Sequence, residues 1–182
     1  MARRRYYYRR SPRVVVAKKK WASNMKTGNM SKTVASSTTD HVEDILVVNS
    51  AQNSTPTPVI VKTGNFKIQG DCYISAVQGN SLSQLTQVIL YVVYLPEVAV
   101  QINTATVIQD HPEWIMAWKV IDFNIVGNTN ADNGTAFTFS SRLKRNLNSG
   151  DAIALVAIVQ NGNSGSSTLL VKYAAQYWTC SN

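Results

Sequence analysis

The opening stretch of the chain, "MARRRYYYRRSPRVVVAKKKW", holds the residues best suited to chemistry, and that chemistry is phosphate binding. Each cation near a phosphate releases condensed counterions, and the Arg guanidinium holds phosphate oxygens in two places. Aromatic rings stack on unpaired bases whatever the base. The sequence therefore predicts non-specific binding of single-stranded nucleic acid by Arg3, Arg4, Arg5, Tyr6, Tyr7, Tyr8, Arg9, Arg10, Arg13, Lys18, Lys19, Lys20, Trp21 and Lys26.

Charge is divided unevenly along the chain. Of 18 basic and 10 acidic residues, 11 basic and no acidic ones lie in residues 1–32, so residues 33–182 hold 7 basic and 10 acidic ones. Such asymmetry indicates a basic interaction arm on a mildly acidic body. A basic run is also typical of a nuclear import signal, which is a compatible second use, and of a membrane-surface patch. The arm lacks amphipathic periodicity, which argues against the membrane role.

No other motif points to a reaction, a metal or a cofactor. His41 and His111 each lie beside acidic residues, but one histidine with two acids on a loop falls short of a zinc site. The chain has no Ser-His-Asp motif, no GxSxG, no phosphate-binding glycine loop and no CxxC. The two cysteines predict free thiols, with Cys72 on the apolar face of a strand. We therefore expect no enzyme, no cofactor and no metal.

The elements behind the arm are predicted to be strands. Residues 1–40 are poor in apolar side chains and are predicted to be disordered, which leaves residues 41–182 as one domain. The longest apolar runs have eight residues, against the roughly 20 that a membrane-spanning helix needs, so no membrane insertion is expected. Seven or eight strands with almost no helix indicate an immunoglobulin-like sandwich, a jelly roll or a small barrel. The predicted strands are His41–Asn49, Val59–Val77, Gln87–Leu95, Glu113–Val126, Thr135–Leu147, Ala152–Asn161 and Thr168–Trp178.

Alternation within the strands predicts which faces are buried. Every second residue from Phe66 to Ala76 is apolar or small, with Gly70 among them as a candidate bulge. In the strand that follows Pro112, the same period places Trp114, Met116 and Trp118 on the outer face. Large exposed apolar patches mark interfaces, so these three residues are predicted to form a contact between subunits.

Four segments carry a resemblance to a known family: "MARRRYYYRR", "HPEWIMAWKVIDFN", "SRLKRNLNSGDAIAL" and "YAAQYW". Together they resemble capsid proteins of small circular single-stranded DNA viruses, the circovirus-like group, and the short coat proteins of satellite plant viruses are similar. The resemblance implies an all-β, single-domain, eight-stranded jelly-roll sandwich with a disordered basic N-terminal arm. It further implies an icosahedral shell of about sixty copies, an arm that binds the genome, and residence in the virion and the host nucleus. The implied partners are other copies of the chain, single-stranded DNA and the host nuclear import machinery.

Alternative functions come from other classes of protein. The first is a cellular single-strand nucleic-acid-binding β-barrel with a basic tail, and the second is a satellite-virus coat protein that packages RNA. A lectin-like sandwich is a third, for which no polar pocket signature appears. A β-barrel module should carry basic and aromatic residues on one exposed sheet face. The body has negative net charge and its aromatics lie among aliphatics, which favours the shell protein.

Overall fold

The computed structural model describes residues 20–50, 60–76, 86–96, 108, 110–123, 133–162 and 165–181. These residues form eight strands and one short 3₁₀ turn, Pro112–Trp114, which directly precedes the fifth strand. The strands are β1 (Ala22–Val34), β2 (Thr39–Val48), β3 (Val61–Ala76), β4 (Thr86–Leu95), β5 (Ile115–Phe123), β6 (Asn133–Leu147), β7 (Ala152–Gln160) and β8 (Ser167–Ser181). Among the described residues, no helix has the length and apolar character that a membrane crossing requires.

The strands form two antiparallel four-stranded sheets that pack face to face. The first sheet has the order β1-β8-β3-β6 and the second has the order β2-β7-β4-β5. At the two sides of the sandwich the edge strands of opposite sheets meet, β1 against β2 and β5 against β6. Two four-stranded sheets connected in this order define an eight-stranded jelly roll. The predicted all-β, single-domain jelly-roll sandwich is therefore confirmed.

An apolar core fills the space between the sheets. Ile68 and Ile74 from the first sheet meet Leu90 and Leu155 from the second, all fully buried. The period of two predicted for β3 holds, since Phe66, Ile68, Cys72 and Ile74 all belong to this core.

The second sheet is buried on its outer side as well. Ala154 and Val156 face away from the inter-sheet core, yet both are fully buried, because they pack with Val93, Ile108 and Trp114 in a second apolar cluster. This cluster explains why β4 and β7 are apolar on both faces. The chain itself therefore covers part of the apolar surface that the sequence offered to other subunits.

The predicted boundary near residue 40 is wrong for residues 22–40, because β1 occupies most of that segment and β2 begins at Thr39. β1 places only Met30 and Val34 among the buried core residues, which is why its composition resembles a disordered arm. It is held by a continuous antiparallel register with β8, from Ala22 opposite Thr179 onward.

Gly70 is not a bulge. The register runs unbroken through Gly70, which lies opposite Phe137, and shifts instead between Gly64 and Phe66. Glycine is needed at position 70 because the neighbouring strand approaches closely. A Cβ atom there would lie 2.0 Å from the carbonyl oxygen of Lys172.

Met116 is buried rather than outward-facing. It is 5% exposed and belongs to the inter-sheet core. Val92 pairs with Ala117 while Val93 pairs with Ile115, so Met116 is an extra residue in β5. The bulge breaks the period of two and turns this side chain inward. The prediction of Met116 as a subunit-contact residue is wrong for this reason.

Candidate nucleic-acid interface

Three of the residues predicted to bind nucleic acid are described by the structure. Lys20 and Trp21 directly precede β1, and both are exposed, Trp21 by 39%. The Nζ atom of Lys144 in β6 lies 5.2 Å from the centroid of the Trp21 ring. The remaining arm residues, Arg3 to Lys19, lie outside the described residues.

Lys26 does not belong to the arm. Its side chain points between the sheets, where Nζ lies 2.6 Å from Asp44 Oδ1 and also donates to the carbonyl oxygen of Ile45. The second carboxylate oxygen of Asp44 accepts a hydrogen bond of 2.5 Å from Tyr173 Oη. Burial first, and then this hydrogen bond, raise the pKa of the Tyr173 phenol. The assignment of Lys26 to nucleic-acid binding is wrong, because a protein carboxylate holds its ammonium group.

A second pair repeats this arrangement further along β1. Lys32 Nζ lies 3.0 Å from Asp40 Oδ2, again from the first strand to the second sheet. Partial burial raises the pKa of Asp40, but hydrogen bonds from Lys32 and from the His41 N–H outweigh it and lower the pKa overall. The two lysines thus fasten an edge strand that contributes little apolar surface.

The outer face of the first sheet carries the basic residues of the body. Strand alternation turns every second residue of β1, β8, β3 and β6 away from the core. Among the described residues the acidic side chain on this face is Asp71, which lies opposite Lys172. We call the surface the basic face, and its cations are Lys62, Lys67, Arg142, Lys144 and Lys172.

Two aromatic side chains lie among these cations. Tyr73 packs over Gly134, where a Cβ atom would come within 2.5 Å of the Tyr73 ring. The ammonium of Lys172 lies 5.4 Å from the centroid of the same ring, so the ring is held from two directions. Trp178 of β8 lies between Ser23 of β1 and Gly64 of β3, and is partly exposed.

Shallow concavities run across the basic face. One has a volume of about 630 Å³, and its floor includes Gly70, Ala136 and Ala174, with Lys172 at its border. Another, of about 590 Å³, is lined by residues that include Lys67, Arg142 and Trp178. Small side chains in the middle and long cations around them leave an open groove suited to an extended polymer.

The three acidic residues of β2 lie away from the basic face. Asp40 and Asp44 lie between the sheets, and Glu43 lies on the outer side of the second sheet. Burial raises the pKa of Glu43, against the opposing charge of His41. The negative net charge of the body therefore conceals an exposed sheet face that is basic and aromatic. The body therefore has such a face despite its negative net charge, contrary to expectation.

The histidines and cysteines form no metal-binding group in the part of the chain that the structure describes. His111 Nδ1 lies 3.0 Å from Glu113 Oε1, and His41 lies near Asp40. Cys72 and Cys180 are buried free thiols. Burial raises the pKa of Cys72 to about 12, which makes its thiol unreactive.

The tryptophans predicted to contact another subunit differ in exposure. Trp118 in β5 is 62% exposed, beside a surface concavity of about 510 Å³ lined in part by Pro112 and Ala117. Trp114 is half-buried and stacks on His111 with ring centroids 3.9 Å apart. Of the three residues predicted to form the subunit contact, Trp118 is therefore the most exposed.

Comparison with known proteins identifies no family for this chain. No family model matches it, and no curated protein matches it. A solved structure, the subviral particle of infectious bursal disease virus VP2, is 8% identical over 88% of this chain with a TM-score of 0.32. The chain spans 41% of the length of that viral chain.

Proposed function

We propose that the chain is a viral coat protein that assembles into a small icosahedral shell and packages circular single-stranded DNA through its basic arm. The observation that carries the proposal is the separation of two surfaces on one jelly roll. The first sheet bears the basic face, and its strand β1 follows the basic residues 1–20 in the chain. The second sheet carries Trp118, whose side chain is 62% exposed. Jelly rolls occur in viral capsids and in lectins, so these surfaces, and not the fold, support the choice.

The charge of the arm is of the right size for packaging. Residues 1–20 carry nine cations, since Lys26 and Lys32 are paired within the body. A shell of about sixty copies would bring on the order of 540 positive charges, enough to neutralise several hundred nucleotides of single strand. Mobile cations would balance the rest of a longer genome.

The same basic run supports a route through the host nucleus. The stretch "RRSPRVVVAKKK" has the composition of a nuclear import signal. We therefore place the protein in the virion, with assembly in the nucleus and the import machinery as a host partner. Packaging of DNA rather than RNA rests on the resemblance to circovirus-like capsid proteins alone.

A second candidate is a single-strand-binding module that works as a monomer. The basic face favours it, because exposed cations and aromatic rings on one sheet are what such modules use. The two candidates differ in self-association, for which the exposed Trp118 favours the shell.

Electron microscopy of the purified full chain tests the proposal. We expect closed shells roughly 20 nm across, the size of a small sixty-subunit assembly. We also expect them to protect nucleic acid that DNase degrades once the shells are opened. Monomers at high protein concentration with polynucleotide present would overturn the shell and favour the module. Recovery of RNA in place of DNA would assign the chain to the satellite-virus type.

A further inference from the structure

We propose that the basic face is a second binding surface for single-stranded nucleic acid, built into the folded body. The proposal rests on the proposed function for its ligand and adds to it a defined site. The first sheet holds its cations at set positions on a folded scaffold.

Two of the cations of the basic face contact aromatic rings, and these cations form no ion pairs with the residues that the structure describes. Lys67, Arg142, Lys144 and Lys172 are exposed, and no ion pair joins any of them to another residue that the structure describes. The inward lysines of β1, in contrast, are held by carboxylates of the second sheet. With Asp71 as the acidic side chain described on this surface, the field favours a polyanion.

The spacing of these cations suits an extended strand. Lys144 lies opposite Gly64 and Lys172 lies opposite Asp71, seven residues further along β3. At about 3.4 Å per residue the cations form a track about 24 Å long, across the three strands β8, β3 and β6, which are spaced about 4.8 Å apart. A track of this length accommodates several nucleotides, as single-strand-binding domains do.

The aromatic rings on the face favour unpaired bases over a duplex. Tyr73 is fixed between Gly134 and Lys172, so its ring is ordered before a base arrives. Trp178 borders the groove beside Lys67, and bases stack on such rings whatever their identity. A duplex keeps its bases stacked on one another and offers this face only its phosphates.

Lys20 and Trp21 extend this surface just before the start of β1. The Trp21 ring lies beneath Lys144 at the end of the basic face, directly after the exposed Lys20. Since phosphates and ring faces carry no sequence code, binding is non-specific.

Matched single variants of the full chain test the basic face. Lys67→Gln removes a cation from the face, and Lys119→Gln removes an exposed cation from β5 in the second sheet. For a labelled oligothymidylate at 0.15 M salt, each lost contact should weaken binding about fourfold, from a salt slope of about 0.7 per phosphate contact. We expect the loss in Lys67→Gln and unchanged affinity in Lys119→Gln.

The triple variant K67Q/R142Q/K144Q enlarges the effect. Binding should weaken on the order of fiftyfold at 0.15 M salt, and the slope of log K against log salt should fall by about two. These side chains are exposed, so an unchanged thermal melt serves as the folding control. Unchanged affinity and slope in the triple variant would overturn the basic face as a binding surface.

Photocross-linking separates this inference from the proposed function. With an iodouracil-substituted oligonucleotide on the full chain, we expect cross-linked peptides containing Tyr73 or Trp178. Cross-links confined to residues 1–21 would refute the basic face and leave the arm and the shell standing. Face cross-links on a protein that never forms shells would sustain the face and refute the coat protein. If the triple variant binds normally but no longer assembles, the face contacts another copy instead.

Discussion

Replacement of Trp118 by alanine should weaken assembly by an amount that follows from its exposure. A large aromatic side chain buries up to about 250 Å², and 62% of Trp118 is exposed, so on the order of 150 Å² is left for a neighbour to cover. At about 25 cal/mol per Å² complete coverage would be worth about 4 kcal/mol. Partial coverage and the cost of association reduce this to about 2 kcal/mol. The critical concentration for assembly should therefore rise about thirtyfold.

Light scattering against protein concentration measures this directly, with Met25→Ala as the matched control. Met25 is 73% exposed and lies in β1 of the first sheet. Its truncation therefore removes a similarly exposed apolar side chain from the opposite sheet. We expect its critical concentration to equal that of the unaltered protein. An unchanged value for Trp118→Ala, or an equal rise for Met25→Ala, would refute Trp118 as the centre of a subunit contact.

Two further predictions concern the stability of the dissociated protein, measured by urea denaturation. Asp44→Ala removes the acceptor of both Lys26 and Tyr173 and should cost about 2 kcal/mol of unfolding free energy, because solvent weakens this partly exposed pair. Asp44→Asn should restore part of the loss, and equal losses would contradict the hydrogen bond's role. Burial raises the pKa of Glu43 above its ordinary 4.5, so its charge costs stability increasingly as pH rises from 4.5 through the raised pKa. Glu43→Gln should therefore be more stable than the parent at pH 7 and equal to it below pH 4.5, and a pH-independent difference would contradict this.

The strands of the body could be predicted because their apolar residues alternate or run continuously. β7 is an example, since every residue from Ala152 to Val159 is apolar and buried. β1 could not be predicted in the same way. Its inward positions include Lys26 and Lys32, whose partners Asp44 and Asp40 become neighbours only when the two sheets pack. Composition alone does not distinguish such a strand from a basic arm.

The connection of the strands depends on contacts that are distant in sequence. Ala22 pairs with Thr179 at the other end of the chain, and no local pattern indicates this partner. The residues alone left a sandwich and a barrel open, and the resemblance selected the jelly roll. The bulge at Met116 is a similar case, because an extra residue shifts the period only when the register with β4 is known.

The basic face could be predicted only in part. Alternation in β3 places Lys67, Asp71 and Tyr73 on one side, which is visible in the sequence. Lys172 and Lys144 come from strands far along the chain and join this side only through the sheet order β8-β3-β6. The net charge of the segment hides this face, because Asp40 and Asp44 lie between the sheets and Glu43 lies on the second sheet.

The concentration of positive charge on one sheet face also couples the two proposed activities, nucleic-acid binding and contact between subunits. In the proposed shell, contacts through Trp118 bring basic arms and basic faces of neighbouring copies together, and like charges oppose that step. A polyanion bound to arm and face removes the repulsion, so nucleic-acid binding and subunit contact strengthen each other by linkage. The apolar contact alone is then weaker than the contact in the presence of polyanion, and Trp118 beside a shallow concavity suits a contact of that kind.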